Sequence, residues 1–325
     1  MKRNHRIRKI FNYKWVINNE MKIKPISFDS MGTRSMATFV ETDDINILID
    51  PGAALGPFRY GLPPHPLEIE KLKNDWDQII YYASKCDVII VTHYHYDHHN
   101  PRIHLDLYDG KHVLIKHPSQ KINRSQFIRS SFFIKQLGNR PKSLNYVDGK
   151  EFRYGKTLIK FSQPVPHGAD ERLGYVVEVL IDDDEHRFLF TSDIEGAVSQ
   201  SQAEFIIKHR PDTIIMDGPM TYMLGTKFSE SSYTESIDNI IKILDSVHPK
   251  DFIIDHHLLR DLQWNERIQR VINKGNEIGT RVTSAAEYSG QKINILEARR
   301  KELYKQNPVD HIKRFSVFSE DFIEE

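Results

Sequence analysis

Short apolar runs alternate along the chain with longer stretches in which apolar residues recur at helical spacing. In the first half, this pattern predicts strands at residues 23–28, 37–41, 45–50, 86–92 and 113–116, and helices at 66–85 and 123–138. The second half repeats the plan, with strands predicted at 158–161, 175–181, 187–191, 213–216 and 252–254, and helices at 203–209, 233–246, 262–278 and 284–306. Two β-rich halves with flanking helices predict an α/β fold, an αββα four-layer sandwich.

The chain is predicted to hold one domain. No low-complexity linker interrupts residues 21–325, which we interpret as a single domain that ends in helices. Residues 1–20 are basic and polar, and two interpretations of them are open: a frayed extension or misassigned start ahead of Met21, or a functional basic arm. The first is favoured because these residues show no convincing apolar period.

The composition is that of an ordinary globular protein. Of 325 residues, 45 are Lys or Arg and 45 are Asp or Glu, so the net charge is zero before histidine is counted. No basic excess indicates a nucleic-acid partner, and no apolar run is long enough to span a membrane or to act as a secretion signal. We therefore expect a cytoplasmic protein whose partner is a small-molecule or phosphodiester substrate. The single cysteine, Cys86, excludes an intrachain disulfide.

Candidate functional side chains are most concentrated in residues 93–99, which contain four histidines and Asp97. They follow the predicted strand 86–92 and precede Asn100-Pro101, where a strand cannot easily continue. Loops at the carboxyl ends of strands are where α/β proteins usually place their functional groups. Imidazole and carboxylate are ligands suited to zinc, iron or manganese, so we predict a metal site. The alternative is a solvated, histidine-rich loop that binds nothing.

Four other strand ends carry similar groups. His167 follows the strand at 158–161, Asp193 closes the strand at 187–191, and His256 closes the strand at 252–254. Each alone is a weak signal, because a single histidine or aspartate at a strand end is usually not a ligand. Asp50 ends the strand at 45–50, and it is either a plain turn residue or a support for the histidine loop.

His93-x-His95-x-Asp97-His98 resembles the signature of the metallo-β-lactamase superfamily, and the other strand-end groups follow in the order of that superfamily. The resemblance implies a fold of the metallo-β-lactamase type and two divalent metal ions, with zinc favoured and iron or manganese as alternatives. It further implies two ligand sets, joined by a bridging Asp193: His93, His95 and His167 for one metal, and Asp97, His98 and His256 for the other. It also implies that Asp50 supports the histidine loop. Residues 31–35 and 254–261 resemble an uncharacterised archaeal family within the superfamily.

Two adjacent histidines make the last ligand ambiguous. Side chains alternate along a strand, so His256 and His257 are expected to point in opposite directions if the strand continues through both. The superfamily register implies that His256 is the ligand, which leaves His257 for contact with substrate and turns Asp255 away from the metals. His99 is ambiguous in the same way and is interpreted as a support or a solvated residue.

The implied function is that of a binuclear metal-dependent hydrolase, in which a metal-bridging hydroxide attacks the substrate and Asp97 helps to orient this nucleophile. The substrate is open between a phosphodiester, a lactone and a thioester. The alternatives are a metal-binding protein without hydrolytic activity, either redox or structural, and a small nuclease. His95 stands where diiron members of the superfamily usually carry a carboxylate, which favours hydrolysis over redox chemistry. Candidate substrate loops are residues 29–35, 53–65 and 217–228, with Arg34, Tyr222 and Lys227 as candidate anion contacts.

Overall fold

The first half of the chain forms a six-stranded mixed sheet in the computed structural model, which describes residues 21–309. Its strands, in spatial order, are β1 (Lys22–Phe28), β2 (Met36–Glu41), β3 (Asn46–Ile49), β4 (Val88–Val91), β5 (His112–Ile115) and β6 (Ser143–Tyr146). Strands β1 to β3 are antiparallel, whereas β3 to β6 are parallel. Because β3 and β4 are parallel neighbours, Asp50 and His93 emerge at the same edge of the sheet.

The second half forms a seven-stranded sheet and a two-stranded ribbon. The strands are β7 (Glu151–Tyr154), β8 (Thr157–Phe161), β9 (Val165–Pro166), β10 (Tyr175–Val176), β11 (Val179–Asp182), β12 (Arg187–Phe190), β13 (Thr213–Met216), β14 (Asp251–Ile254) and β15 (Arg281–Thr283). The ribbon pairs β9 with β10, and the sheet has the order β15-β14-β13-β12-β11-β8-β7. In chain order, this sheet also begins with antiparallel strands, from β7 to β12, and continues with parallel strands, from β12 to β15. The predicted repetition of one plan in two halves is therefore confirmed.

Eight helices flank the sheets in the described part of the chain. They are α1 (Pro66–Ala83), α2 (Arg124–Leu137), α3 (Gln200–His209), α4 (Glu230–Val247), α5 (Trp264–Arg267), α6 (Gln269–Ile278), α7 (Ala285–Tyr288) and α8 (Arg300–Gln306). The start of α1 shows how the sequence specifies a helix. Pro66 takes the first helical position, and His65 and Glu68 form a reciprocal capping box. Among these helices, none is long and apolar enough to cross a membrane.

The alternation of side chains along the strands builds the four layers. In β4, Val88 and Ile90 belong to the core between the two sheets, whereas Ile89 and Val91 pack with the residues of α1 and α2. In β13, Ile215 faces the core between the sheets, and Ile214 packs with α3 and α4. Each sheet thus has one face against its partner sheet and one face against helices. The predicted αββα sandwich is confirmed.

The C-terminal part departs from the sequence prediction. The helix predicted at 284–306 is wrong, because this stretch holds only the short helices α7 and α8, and the helix predicted at 262–278 is divided into α5 and α6. Helix α7 ends before Gly290, which has a φ of +68°, and the following backbone approaches Ser30, where Asn294 N–H donates to the Ser30 carbonyl at 2.7 Å. The strands β6, β7, β9 and β15 were not predicted. The extension predicted at 1–20 lies outside the described residues.

Candidate metal centre

Strand ends from both sheets converge on one buried pocket. Asp50 follows β3, His93 follows β4, Asp193 follows β12 and His256 follows β14. Three of these turns use left-handed backbone, with φ of +48° at Asp50, +59° at Ser192 and +44° at His256. Left-handed residues change the chain direction abruptly, and such strained positions concentrate at functional sites.

Asp193 lies at the centre of the pocket. Imidazole Nε2 atoms surround its carboxylate at 3.1 Å (His98), 3.2 Å (His167), 3.6 Å (His93), 3.6 Å (His256) and 3.8 Å (His257). Four overlapping compact groups of candidate ligands share this region, and the atoms within each lie within 4.8 Å of one another. Two match the predicted ligand sets: His93, His95, His167 and Asp193, and Asp97, His98 and His256. The other two are Asp50, His93 and His98, and Asp193, His256 and His257. The structure thus brings together all the residues predicted as ligands, whereas their division between two metals stays a prediction.

The spacing of these atoms fits a metal site. For metal–ligand bonds of about 2.1 Å, neighbouring ligand atoms of a tetrahedral site lie about 3.4 Å apart. The separations around Asp193 fall close to this value, and Asp97 lies 3.5 Å from His256 Nε2 and 3.8 Å from His98 Nε2. Within residues 21–309, His98 Nε2, His167 Nε2 and Asp193 Oδ1 are buried without a well-directed hydrogen bond. Buried polar atoms are rarely left in this condition, so the donor set fits a divalent cation.

A second ring of polar groups holds the imidazoles by their Nδ1 atoms. His98 Nδ1 donates to Asp50 at 2.8 Å, His256 Nδ1 donates to Asp29 at 2.7 Å, and His257 Nδ1 donates to Asp217 at 2.9 Å. In the neutral ring, each of these bonds selects the tautomer in which Nε2 carries the lone pair, which is the form that binds a metal.

Asp50 also fixes the start of the histidine loop. Its carboxylate accepts hydrogen bonds from the Thr92 N–H at 2.7 Å and from the Thr92 hydroxyl at 2.6 Å. The Thr92 hydroxyl in turn meets Ser192 Oγ at 2.6 Å, and Ser192 Oγ lies 3.2 Å from His93 Nδ1. The two strand ends that carry His93 and Asp193 are therefore tied to each other, and Asp50 occupies the supporting position expected for it.

Gly52 allows the histidine loop to lie against the turn after β3. A Cβ atom added to Gly52 would stand 2.5 Å from the carbonyl carbon of His98 and 2.9 Å from its amide nitrogen. Side-chain atoms do not approach backbone this closely, so this position requires glycine.

The two adjacent histidines do not alternate as expected. Strand β14 ends at Ile254, and the left-handed backbone at His256 breaks the two-residue period, so the rings of His256 and His257 both face Asp193. The expectation that only one of them could face the pocket is wrong. Asp255 does turn away, and its carboxylate accepts the N–H groups of Ser30 and Ala285 at 3.0 and 2.8 Å.

His99 takes no part in the compact groups of candidate ligands. Its Nδ1–H donates to the His95 carbonyl at 3.0 Å, and its ring packs on Phe133 of α2 with the ring centres 4.8 Å apart. Burial lowers the pKa of His99 to about 3, so the ring is a neutral packing element. It supports the loop from the helix side.

The charges in the pocket favour a cation. Burial alone would raise the pKa of Asp193, but His98, His256 and His93 hold it well below its usual range. Burial alone would lower the pKa of His98, but Asp193, Asp97 and Asp50 raise it well above its usual value. Burial together with Asp193 raises the pKa of Asp217 well above its usual range. Carboxylates thus create a field that stabilises positive charge beside Asp193.

Three buried residues of the site were not assigned by sequence reasoning. Asp29 and Asp217 hold His256 and His257, and Arg260 reaches Asp29 with Nε at 2.9 Å and Asp97 with a terminal nitrogen at 3.2 Å. Asp217 carries the same signal as Asp193, since it ends a buried strand of the second sheet. Asp29 lies in a loop that was already a candidate, whereas Arg260 had no signal in the sequence.

The three candidate anion contacts have different surroundings. Arg34 forms two hydrogen bonds with Glu297, at 2.6 and 2.7 Å, so its charge is neutralised within the chain. The ring of Tyr222 packs against the guanidinium groups of Arg59 and Arg260, with distances of 4.7 and 5.9 Å to the ring centre. Lys227 is exposed.

The four layers, with the histidine motif at the strand ends, form a fold of the metallo-β-lactamase type. No family model matches the chain. Among solved structures, the chain is similar to an isothiocyanate hydrolase from Delia radicum gut bacteria, with a TM-score of 0.51, 14% identity, and coverage of 78% of this chain and 95% of that chain. It is also similar to a metal-dependent hydrolase of the β-lactamase superfamily, with a TM-score of 0.45, 12% identity, and coverage of 81% and 95%.

The sequence relatives identify the family. A UPF0282 protein of Korarchaeum cryptofilum is 53% identical over 290 residues, which cover 89% of this chain and 96% of the relative. The chain therefore belongs to the UPF0282 family. The expected resemblance to an archaeal family is confirmed, and so is the expected fold of the metallo-β-lactamase type.

Proposed function

We propose that this chain is a metal-dependent hydrolase whose reaction takes place around Asp193. The observation that carries the proposal is the convergence of five imidazole Nε2 atoms within 3.8 Å of one buried carboxylate. A purely structural metal site needs only four closed ligands, and this pocket offers more. An excess of ligands on a shared carboxylate supports two cations rather than one.

In this proposal, two divalent ions, with zinc favoured, are held as the superfamily resemblance implies. His93, His95 and His167 would hold one ion, and Asp97, His98 and His256 would hold the other, with Asp193 shared. Such ions supply a lowered pKa for bound water and polarise the bond to be cleaved.

The chain's own residues have separate tasks. Asp97 lies with one carboxylate oxygen 3.5 Å from His256 Nε2, where it can orient an attacking water and accept a hydrogen bond from it. Asp50 and Asp29 fix the ring orientations of His98 and His256. Because these partners are buried and hydrogen-bonded, the pocket keeps its geometry before substrate arrives, which reduces the reorganisation needed during reaction.

The test begins with metal content. Wild-type protein purified without chelator should contain about two zinc, iron or manganese ions per chain by mass spectrometry, and the double variant His93→Ala/His95→Ala should lose about one. His112→Ala is a matched control, because His112 lies at the opposite end of β5 and hydrogen-bonds to Ser143 at 2.8 Å. Wild-type protein without bound metal would overturn the proposal.

Activity is the second part of the test. A phosphodiester, a lactone and a thioester should be assayed with the metal-loaded protein, and at least one should be hydrolysed in a reaction that chelation abolishes. Asp97→Asn should lower kcat more than it changes KM, because Asp97 is placed to act on the nucleophile. Metal binding with no hydrolysis of any substrate would favour a non-hydrolytic metal protein instead.

A further inference from the structure

The loop at residues 56–62 places Arg59 against Arg260, a residue that contacts the metal centre. A terminal nitrogen of Arg59 donates to the carbonyl of Arg260 at 3.1 Å, and both guanidinium groups pack against the ring of Tyr222. Arg260 in turn donates to Asp97 at 3.2 Å. Arg260 thus contacts both Arg59 and Asp97, which is a predicted metal ligand.

Arg59 differs in its charge environment from the other arginines near the site. Arg260 pairs with Asp29 and Asp97, and Arg300 pairs with Glu68. Within residues 21–309, no carboxylate lies within ion-pair distance of Arg59, and its Nε atom is buried without a hydrogen bond. A partly buried cation without a counter-charge lowers the stability of the fold. Such a group is therefore a candidate binding site for an external anion, which would supply the counter-charge.

The loop is held in place from behind. Arg300 donates to the carbonyls of Gly56 and Leu62, which are the two ends of the loop, both at 3.0 Å. Between them, the Tyr60 hydroxyl donates to the carbonyl of Ala298 at 3.0 Å. Arg59 is therefore presented by an anchored loop, which reduces the ordering cost of binding.

Aromatic side chains surround this guanidinium. Its carbon lies 4.9 Å from the ring centre of Tyr60 and 4.7 Å from that of Tyr222. Phe58 and Tyr60 are also largely exposed, at 62% and 49%. Exposed rings beside a cation favour a ligand that combines negative charge with an apolar or aromatic group.

We propose that Arg59 binds the anionic oxygens of the substrate, and that the substrate class is a phosphodiester with an aromatic substituent. This inference rests on the proposed hydrolase function and narrows its substrate. The reacting groups of lactones and thioesters are neutral and would leave Arg59 without a partner, whereas a planar guanidinium matches two phosphate oxygens.

The test measures binding of diphenyl phosphate to metal-loaded protein by calorimetry, which requires no turnover. Arg59→Gln should weaken the affinity at least about tenfold, and Arg59→Lys should give an intermediate value because it keeps the charge but loses the planar fork. Arg153→Gln is a matched control, because Arg153 also donates to a backbone carbonyl, that of Lys156, but on the edge strand β7. Diphenylacetate serves as a carboxylate with the same two rings, and it should bind at least about tenfold more weakly than diphenyl phosphate.

Unchanged affinity for diphenyl phosphate in Arg59→Gln would overturn the inference, and so would equal binding of diphenylacetate. If Arg59→Gln lowers the melting temperature strongly, Arg59→Lys decides the question, since affinity equal to wild type would contradict a guanidinium site. The proposed function can fail separately. If diphenyl phosphate binding depends on Arg59 but no substrate is hydrolysed, the anion site is supported and the hydrolase function is contradicted. If a lactone is hydrolysed equally well by wild type and Arg59→Gln, the hydrolase function is supported and the anion site is contradicted.

Discussion

A terminal nitrogen of Arg260 lies 3.1 Å from Nε2 of His256, the ring nitrogen that is predicted to bind the second metal. Nδ1 of His256 donates to Asp29, so in the neutral ring Nε2 carries the lone pair, and Arg260 directs a donor toward it. The same nitrogen of Arg260 donates to Asp97 at 3.2 Å. The guanidinium thus lies beside the position of a cation shared by Asp97 and His256, and the two positive groups would repel each other.

This competition predicts that the second metal binds more weakly than the first. Arg260→Met keeps most of the side-chain volume and removes the charge, so it should tighten the weaker step at least about tenfold and leave the tighter step unchanged. Titration of chelated protein with zinc in the presence of a chromophoric competitor measures both steps. Arg267→Met is the control, because Arg267 pairs with Asp261 in the same segment. If wild type and Arg260→Met bind the second zinc with equal affinity, the guanidinium moves aside without a cost in free energy.

His256 and His257 are expected to have different roles, although both rings face Asp193. His256 Nε2 lies near both Asp97 and Asp193, at 3.5 and 3.6 Å, whereas His257 is held by Asp217 and lies near Asp193 at 3.8 Å. His256→Ala should therefore remove about one metal per chain, whereas His257→Ala should retain both and chiefly raise KM. Metal analysis and steady-state kinetics on the two variants separate these effects. Loss of metal in His257→Ala alone would assign the ligand to His257.

Gly52 gives a test of the packing that positions the histidine loop. Gly52→Ala places a methyl group against the backbone of His98 and should destabilise the fold by about 1–3 kcal/mol while weakening metal binding. Gly61→Ala is a matched control in the neighbouring loop, since no atom lies within 4 Å of its added Cβ and only the positive φ is unfavourable. Thermal melts and zinc titrations should separate the two, with weaker metal binding in Gly52→Ala alone. If both variants bind metal normally, Gly52 is a turn residue and nothing more.

Local patterns were sufficient for most of the fold and for the predicted ligands. Strands such as β4 and β14 are short apolar runs, and the groups that follow them are unusual enough to be recognised as candidate ligands without a structure. The resemblance of their order to that of the metallo-β-lactamase superfamily implied that Asp193 and His256 share one pocket with the histidine motif.

Contacts between distant segments explain what the sequence did not show. Asp29 holds His256 across a separation of 227 residues, and Arg260 becomes part of the site only through the turn after β14. The helix predicted at 284–306 is rich in good helix formers, but Gly290 has left-handed backbone after α7, and the Asn294 N–H donates to the Ser30 carbonyl in place of a helical acceptor. The alternation argument for His256 failed because strand β14 ends at Ile254 and His256 itself has left-handed backbone.

The buried pair of Arg34 and Glu297 predicts a loss of stability in acid. Burial alone would raise the pKa of Glu297, but Arg34 lowers it to about 2 from its ordinary value of 4.5. A carboxyl with a depressed pKa stabilises the fold fully above pH 4.5, and this contribution disappears as the pH falls toward 2. Its size is about 3 kcal/mol from the pKa difference.

The measurement compares wild type and Glu297→Gln by urea unfolding between pH 6 and pH 2.5, both in chelator so that metal release contributes equally. At pH 6 the variant should be less stable by about 3–5 kcal/mol, because Arg34 is left buried without its partner. Toward pH 2.5 the wild type should lose stability faster, and the two curves should approach each other. Parallel curves across this range would mean that Glu297 titrates normally and that Arg34 does not stabilise its charge.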